Sequence, residues 1–439
     1  EHKNPLVGAN VILVGTFLGT TTDYNGAFSF RDLEEGAYHL QASFMGYETH
    51  EQKLELHSDL ELVIEMRRKS ILADEVLVTA TRATPHMPVA YTNIEKERIE
   101  KINLGQDIPY MLEQTPSLVL TSDAGAGVGY SSFRIRGSDI TRINVTVNGI
   151  PLNDSESHGT WWVDLPDFAS SVENIQVQRG VGSSTNGAGA FGATVNFQTI
   201  DLRPEPNGEL NVSAGSFNTY KTNVLLGTGL IKNRFVFDAR ASKIYSDGYI
   251  DRAFSDLGSL SLSGAYYGES DLLKLIYLTG KEKTYQAWDG VPSSVLDTNR
   301  TYNGIGQYID ADGRIQYYEN ETDNYWQDHV QLFYTRELSE YATLNFALHY
   351  TYGRGFYEQY KQDEDLAEYQ MDMVVIGGDT IRSTDLIRQK WLDNDFYGMT
   401  YSLNLKRNRW DFILGGAWNR YLGDHFGKVI WARISPQDS

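Results

Sequence analysis

From Gly208 onward, apolar and polar residues alternate with a period of two. Phe235, Phe237, Ala239 and Ala241 fall on one side, and Asp238, Arg240 and Ser242 on the other. Leu344, Phe346, Leu348, Tyr350 and Tyr352 alternate with Asn345, His349 and Thr351, and Tyr401, Leu403 and Leu405 with Ser402, Asn404 and Lys406. This period predicts β-strands, and an apolar and a polar face sustained over about ten residues fits strands with lipid on one side and water on the other. A soluble sandwich also buries one face, but its strands are roughly half that length. Nine or ten such strands are expected after Gly208. Short connections near residues 231–233, 269–271 and 408 alternate with long ones at 285–323 and 358–389, which are rich in Asp, Glu, Tyr, Asn and Gly.

Ahead of this region the pattern differs. Residues 1–67 predict a small β-sandwich, with short strands around 9–15, 27–31, 37–44 and 52–66 and turns at Asn25-Gly26 and Glu35-Gly36. Residues 68–82 form a linker. Residues 83–205 mix an amphipathic helical stretch, Ile94 to Ile102 with Ile108 to Leu112, with short strands, which predicts a compact α+β domain. Residues 206–439 hold the long strands. The overall expectation is a mainly β protein.

Composition narrows the classes. Apolar residues make up 41% of the 439, mean hydropathy is −0.40, and no run approaches the ~20 consecutive apolar residues of a spanning helix. A helical membrane protein is excluded, while a membrane barrel is not, since only every second residue of its strands faces lipid. The 28 Tyr, 18 Phe and 8 Trp suit aromatic girdles, though a sugar-binding β-protein shares that enrichment. A formal charge of −20 argues against nucleic acid. The absence of Cys removes disulfides, thiolate metal sites and thiol nucleophiles.

Several residues invite a chemical reading. Gly187-Ala-Gly-Ala-Phe-Gly192 matches the dinucleotide fingerprint formally, but Ala193 to Thr199 reads as a strand where that motif needs a helix. His158 beside Asp154, Ser155 and Glu156 suits either a hydrolase or metal cluster or a polar loop tip. No catalytic triad or zinc motif can be assembled. Asp310-Ala-Asp-Gly313 lacks the spacing of a full calcium loop and reads as a hairpin turn, with calcium among the acidic outer loops a weaker alternative. Arg134, Arg136 and Arg179 stand in an acidic protein and are expected either to find carboxylates or to lie solvated on the surface. Trp161-Trp162, with Tyr130 and His158, makes an aromatic platform for a bulky ligand or packs against a neighbouring wall. Gln286, Trp288 and Asp289 in the first long loop are further ligand candidates.

Three segments carry a family resemblance: Phe133-Arg-Ile-Arg-Gly137 running into Arg142 to Asp154, Val172 to Gly180, and the Gly/Ser/Ala tract that ends at Val195. In order and spacing they resemble the plug domain of TonB-dependent outer-membrane transporters. The run from Pro5 to Tyr47, with Gly26-Ala-Phe28, Gly36-Ala-Tyr38 and Gly46-Tyr47, is similar to the carboxypeptidase-regulatory-like domain that precedes such transporters in Bacteroidetes. That domain normally has one more strand at its front. Between the two, Asp74-Glu75-Val76-Leu77-Val78-Thr79-Ala80 resembles the TonB box, and by spacing alone it is also a plain linker strand.

The resemblance implies a β-barrel of 22 strands when complete, the remainder lying beyond Ser439, with Arg134, Arg136 and Arg179 contacting the barrel wall. It implies active uptake of a scarce nutrient, first an iron–siderophore chelate, with cobalamin, haem or oligosaccharide as alternatives. The partners would be TonB of the TonB–ExbB–ExbD complex, outer-membrane lipid, the small-molecule chelate and a surface lipoprotein, with the receptor itself monomeric. The amino-terminal domain and the box would be periplasmic and the long loops extracellular. No catalysis, metal or cofactor is implied. A surface adhesion protein without transport is the rival class, and a carboxypeptidase is disfavoured because this domain carries no zinc ligands.

Overall fold

The computed structural model describes residues 5–16, 18–44, 47, 49–66, 82–83, 89–182, 190–199, 202–203, 205–232, 234–268, 270–339, 341–407 and 410–435. The segment assigned to TonB, Asp74 to Ala80, lies outside them. Contacts divide the chain into two units, residues 1–74 and 75–439.

In the first unit β1 (Asn10–Leu13), β2 (Gly19–Thr21), β3 (Gly36–Ser43) and β4 (His50–Leu56) form one antiparallel sheet in the order β2-β1-β3-β4. Val11, Leu13, Leu40 and Ala42 alternate onto a buried face, and Phe28, Phe30, Leu62, Ile64 and Met66 pack against it. Residues 27–31 are not a strand, although one was expected there. The Asp23 carboxylate accepts from the amides of Asn25 and Ala27 at 2.8 and 2.9 Å, and Gly26 takes φ 75°. This turn lays Phe28 and Phe30 over the sheet face, where unpaired chain supplies the second layer.

The second unit begins with β5 (Ala90–Glu95), α1 (Lys96–Ile102), α2 (Ile108–Met111), β6 (Leu118–Ser122), β7 (Ser131–Ile135), β8 (Ile143–Val147), β9 (Ile150–Pro151), β10 (Val172–Arg179) and β11 (Ala193–Thr199). β6 and β7 form a hairpin, and the others a sheet in the order β5-β10-β11-β8-β9, in which only β8 and β11 run parallel. The helix starts two residues later than its apolar spacing suggests, because Ile94 and Glu95 pair with Ile175 and Asn174 of β10. The strand at Ala193–Thr199 rules out the dinucleotide reading. A Cβ at Gly192 would overlap the Ser138 side chain, so its glycine serves close packing.

This sheet has two unlike sides. Val145, Val147, Ile175, Val177, Val195 and Phe197 face a core shared with Ile99, Leu112, Phe133, Trp162 and Phe168. The alternate residues Asn144, Thr146, Gln176, Gln178, Thr194 and Asn196 are buried as well. Amide and hydroxyl bonds knit that side together: Thr146 Oγ1 donates to Asn196 Oδ1 at 2.6 Å and Gln178 Nε2 to Gln176 Oε1 at 2.9 Å. Gln176 also clasps Ala83, accepting from its amide at 2.7 Å and donating to its carbonyl at 3.1 Å, while Arg82 Nη1 donates to Gln198 Oε1 at 2.9 Å.

The rest of the unit is a wall of long strands: β12 (Asn207–Ala214), β13 (Tyr220–Gly227), β14 (Phe235–Ser246), β15 (Ser255–Tyr267), β16 (Asp271–Tyr285), β19 (Thr322–Ser339), β20 (Ala342–Asp365), β23 (Ser383–Arg407) and β24 (Trp410–Ala432). Two small hairpins rise from its long loops, β17 (Gln307–Ile309) with β18 (Ile315–Tyr317) and β21 (Val374–Ile376) with β22 (Asp379–Ile381). The nine long strands pair antiparallel, each with the next in sequence. The outward face carries Phe235, Phe237, Leu273, Leu275, Leu348 and Tyr401, all exposed, and the inward face carries Asn223, Arg240, Glu282, Gln331 and Asn345, all buried. β20 and β23 continue through the segment expected as loop, with pairs from Glu358↔Gln389 to Asp365↔Ser383. Beyond the lipid both faces of a strand meet water, so the alternation of hydrophobicity stops although the pairing does not.

Candidate functional site

The loop from Asn153 to Trp161 is built by its first two residues. Asn153 Oδ1 accepts from the Val145 amide at 2.7 Å, and its Nδ2 donates to the carbonyls of Ile143 and His158 at 2.9 and 3.0 Å. Asp154 Oδ1 accepts from the amide and hydroxyl of Ser157 at 2.6 and 2.8 Å. Asp154 thus braces its own turn, which suits the polar loop tip better than a hydrolase or metal cluster. His158 is exposed, in the left-handed region at φ 57°. At the loop's end Trp161 is 43% exposed, and its indole N–H donates to Ser157 Oγ at 3.2 Å.

Tyr130, from the loop before β7, meets Trp161 edge to face at 6.1 Å between ring centres and meets Trp288, from the first long loop of the wall, at 5.7 Å. Tyr357 of β20 packs on Trp288 at 5.5 Å. Four rings from plug and wall therefore form one aromatic shelf, and Tyr357 was not foreseen in it. Trp162 does not join the shelf. It is 2% exposed in the plug core, 6.0 Å from Phe133 and 5.7 Å from Phe197, so the expected paired-indole platform is a single indole. Gln286 is also buried rather than presented to ligand. Its side chain donates to the Glu358 carbonyl at 2.9 Å, and its own carbonyl accepts from Asn303 Nδ2 at 3.0 Å, which ties the long loop to β20.

Carboxylates lie beneath the shelf. The Tyr130 hydroxyl donates to Asp323 and, at 3.4 Å, to Glu282 Oε1. Burial, followed by Glu282 and Asp323, raises the Tyr130 hydroxyl well above its ordinary value, which keeps it a donor. Asp164, 6% exposed, is also pushed well up, by burial first and then by Asp323 and Asp154.

The plug is keyed to the wall by ions that the sequence reading missed. Asp167 has a fully buried carboxylate, 2.6 Å from Lys221 Nζ of β13 and 3.3 Å from Arg240 Nη1 of β14. Asn223 Nδ2 donates to it at 2.5 Å, and Arg240 Nε donates to Ser171 Oγ at 2.8 Å. Burial opposes ionisation of Asp167, but Lys221 and Arg240 outweigh it and hold the carboxyl below its ordinary value. Among the described residues none of the three arginines expected at the wall forms an ion pair with it. Arg134 is exposed, and Arg136 donates from Nη1 to the Arg179 carbonyl at 3.4 Å, inside the plug. The charge arrangement is inverted, with the acid on the plug and the bases on the wall. Lys221 and Arg240 on the polar face of lipid-flanked strands were the available signal.

Seating also needs a glycine. A Cβ at Gly280 of β16 would overlap the Asp164 carbonyl oxygen and press on the Pro166 ring. Gly280→Ala is expected to lift the plug locally and lower stability by about 1–3 kcal/mol, as overpacking does. Thermal unfolding of the detergent-solubilised protein checks this, and an unchanged midpoint would show that the plug is not seated on this strand.

A wall of antiparallel strands, apolar outside and polar inside, with a globular domain ion-paired to its inner face, defines the class of plugged outer-membrane β-barrels. Residues 1–78 match the model of the CarboxypepD_reg-like domain, and residues 85–194 that of the TonB-dependent receptor plug domain. The chain is 27% identical over 146 residues to the vitamin B12 transporter BtuB of Vibrio vulnificus, covering 33% of this chain and 23% of that one. It is 26% identical over 160 residues to the probable TonB-dependent siderophore receptor PirA of Acinetobacter baumannii, covering 34% and 21%. The structure of BauA, the ferric preacinetobactin receptor from Acinetobacter baumannii, superposes with a TM-score of 0.57 at 15% identity, over 78% of this chain and 48% of that one, a likeness of fold. The alignments thus span about a quarter of these curated relatives and about half of the solved chain. A CarboxypepD_reg-like domain thus stands ahead of a TonB-dependent receptor plug domain in this chain, and its homologues are TonB-dependent receptors.

Proposed function

We propose that this receptor takes up a scarce nutrient across the bacterial outer membrane, driven through TonB, and that its cargo is an iron–siderophore complex. The observation that carries this reading is the shelf of Tyr130, Trp161, Trp288 and Tyr357, in which a ligand surface is shared between the wall and a plug keyed to it by ions. Ligand binding across that seam favours one plug position over another, and only such differential contact can shift an equilibrium. Residues 74–80 are then the segment TonB takes up by strand addition, with the amino-terminal unit and the box on the periplasmic side and the long loops outside. PirA is described as a probable TonB-dependent siderophore receptor and BauA as a ferric preacinetobactin receptor, which supports the iron reading. BtuB, a vitamin B12 transporter, makes cobalamin the second reading.

Growth of a transporter-deficient strain carrying the complete gene, on a panel of ferric hydroxamates, ferric catecholates, cobalamin and haem, tests the proposal. Growth on an iron chelate supports it, growth on cobalamin alone selects the second reading, and growth on none with the receptor present in the membrane sinks both. The two neighbouring tryptophans should then separate. Trp161→Ala is expected to weaken ligand binding roughly tenfold with stability unchanged, while Trp162→Ala should cost about 3–5 kcal/mol of stability. Binding isotherms and unfolding midpoints on both variants check the contrast.

A further inference from the structure

Below the shelf a crevice opens between the plug loop and the wall, lined by Asp154, Thr160, Trp161 and Asp164 from the plug and by residues of β19, β20, β23 and β24, including Tyr325, His329, Asn394 and Tyr421. Its chemistry is one-sided. No Lys or Arg among the described residues lines it. Thr160 is 5% exposed, and its Oγ1 has no hydrogen-bond partner among the described residues. Asn394 Oδ1, from the wall side of the lining, likewise has none. The Asp164 side chain makes no hydrogen bond or ion pair among the described residues. The two orphaned oxygens, taken from water, represent an uncompensated desolvation cost of about 1–3 kcal/mol each, and the unpaired Asp164 carboxyl beside them is 6% exposed. His329 contributes no free ligand atom, since Nδ1 bonds Thr351 Oγ1 at 3.0 Å and Nε2 bonds Gln327 Oε1 at 2.9 Å.

We infer that this crevice is a subsite for a cationic nitrogen group, a primary alkylammonium carried by the transported ligand, held by Asp164, Thr160 and Asn394 with the Trp161 ring at its mouth. The inference rests on the uptake reading above and deepens it by naming a chemical group of the cargo. An ammonium brings three N–H donors to a place with unpaired acceptors, and an indole face adds a cation–π attraction. A divalent metal fits less well, since no group of three or more His, Cys, Asp or Glu among the described residues is placed to hold one. Because burial and its acidic neighbours push Asp164 upward, an arriving cation ionises it and releases a proton. The titratable groups around it are Asp154 on the same loop, Tyr130 before β7, Glu282 of β16, Asp323, Tyr325 and His329 of β19, and Tyr421 of β24.

The probe is n-butylammonium, with butan-1-ol as the neutral control, titrated calorimetrically into the full-length receptor in detergent. Butylammonium is expected to bind in preference to the alcohol, more tightly as pH rises, with proton release visible as a dependence on buffer ionisation heat. Asp164→Asn should weaken it about tenfold and abolish the proton release, the loss expected for one charge-assisted hydrogen bond. Equal binding of amine and alcohol, or an Asp164→Asn variant that behaves as wild type, would overturn the subsite. Where Asp164→Asn fails to fold, Thr160→Val takes its place, and unchanged amine affinity in that variant overturns it too. Growth on the chelate, cobalamin and haem panel is scored separately, so amine binding with growth on none of them defeats the uptake reading, and growth without amine binding defeats only the subsite.

Discussion

Deleting residues 74–80 from the full-length receptor is expected to reduce cargo accumulation to the level of cells lacking TonB while leaving cargo binding at the outer face unchanged. Binding survives because the shelf is built from Tyr130, Trp161, Trp288 and Tyr357, none of which belongs to the deleted segment. The plug survives because its sheet is tied to the chain after the deletion, where Gln176 clasps Ala83 and Gln198 takes the Arg82 guanidinium. Only the grip for the partner is lost, since strand addition needs a free run of backbone donors and acceptors. Radiolabelled chelate measured on intact cells at low temperature gives binding, and the same cells with a working proton gradient give accumulation. Accumulation that persists at the wild-type level would place the TonB contact elsewhere in the chain.

The second large effect concerns the ion pairs beneath the plug. Asp167→Ala would leave Lys221 and Arg240 buried with no anion, and removing one partner of a buried pair costs about 3–5 kcal/mol. Replacing all three by similar-sized apolar residues should cost far less, because no charge is then stranded. Urea unfolding of the two variants side by side checks the ordering, and equal losses would show that packing rather than charge seats the plug. The pH dependence has a definite sign. The Asp167 carboxyl is depressed in the fold, so its contribution is fully present above the ordinary carboxylate value near 4 and is lost as pH falls through the lower folded value. The plug should therefore hold from neutral pH down to about 5 and loosen in stronger acid, and Asp167→Asn should remove that acid limb.

The wall was legible because lipid permits only one kind of side chain on its face. Leu344, Phe346, Leu348 and Tyr350 could be sorted from Asn345 and His349 without knowing any partner strand. That sorting failed where water meets both faces, at residues 358–365, which stay paired while showing no pattern. The plug's segments could be read from their order, but its charges could not. Asp167 finds Arg240 73 residues along the chain, and nothing local to Asp-Phe-Ala-Ser distinguishes a buried anchor from a helix cap. The arginines misled for a related reason. Arg136 and Arg179 sit close enough in the fold for one to bond the other's carbonyl, so they serve the plug's own hydrogen bonding. Of the two adjacent indoles, position in sequence could not tell which faced inward; the short 3₁₀ turn at Trp162–Asp164 decides it.

The two-sided plug sheet bears on calorimetry. Its hydrocarbon side holds Phe133, Trp162, Phe168 and Phe197, while its other side is a layer of amides and hydroxyls. Apolar surface entering water raises heat capacity, and polar surface lowers it. A plug that withdraws from the wall as an intact body would uncover ions, amides and a few aliphatic groups, and the heat capacity would change little. One that unravels strand by strand would empty four aromatic rings into water and raise it substantially. The heat-capacity change on plug release therefore distinguishes a stopper that is drawn out whole from one that is unwound like thread.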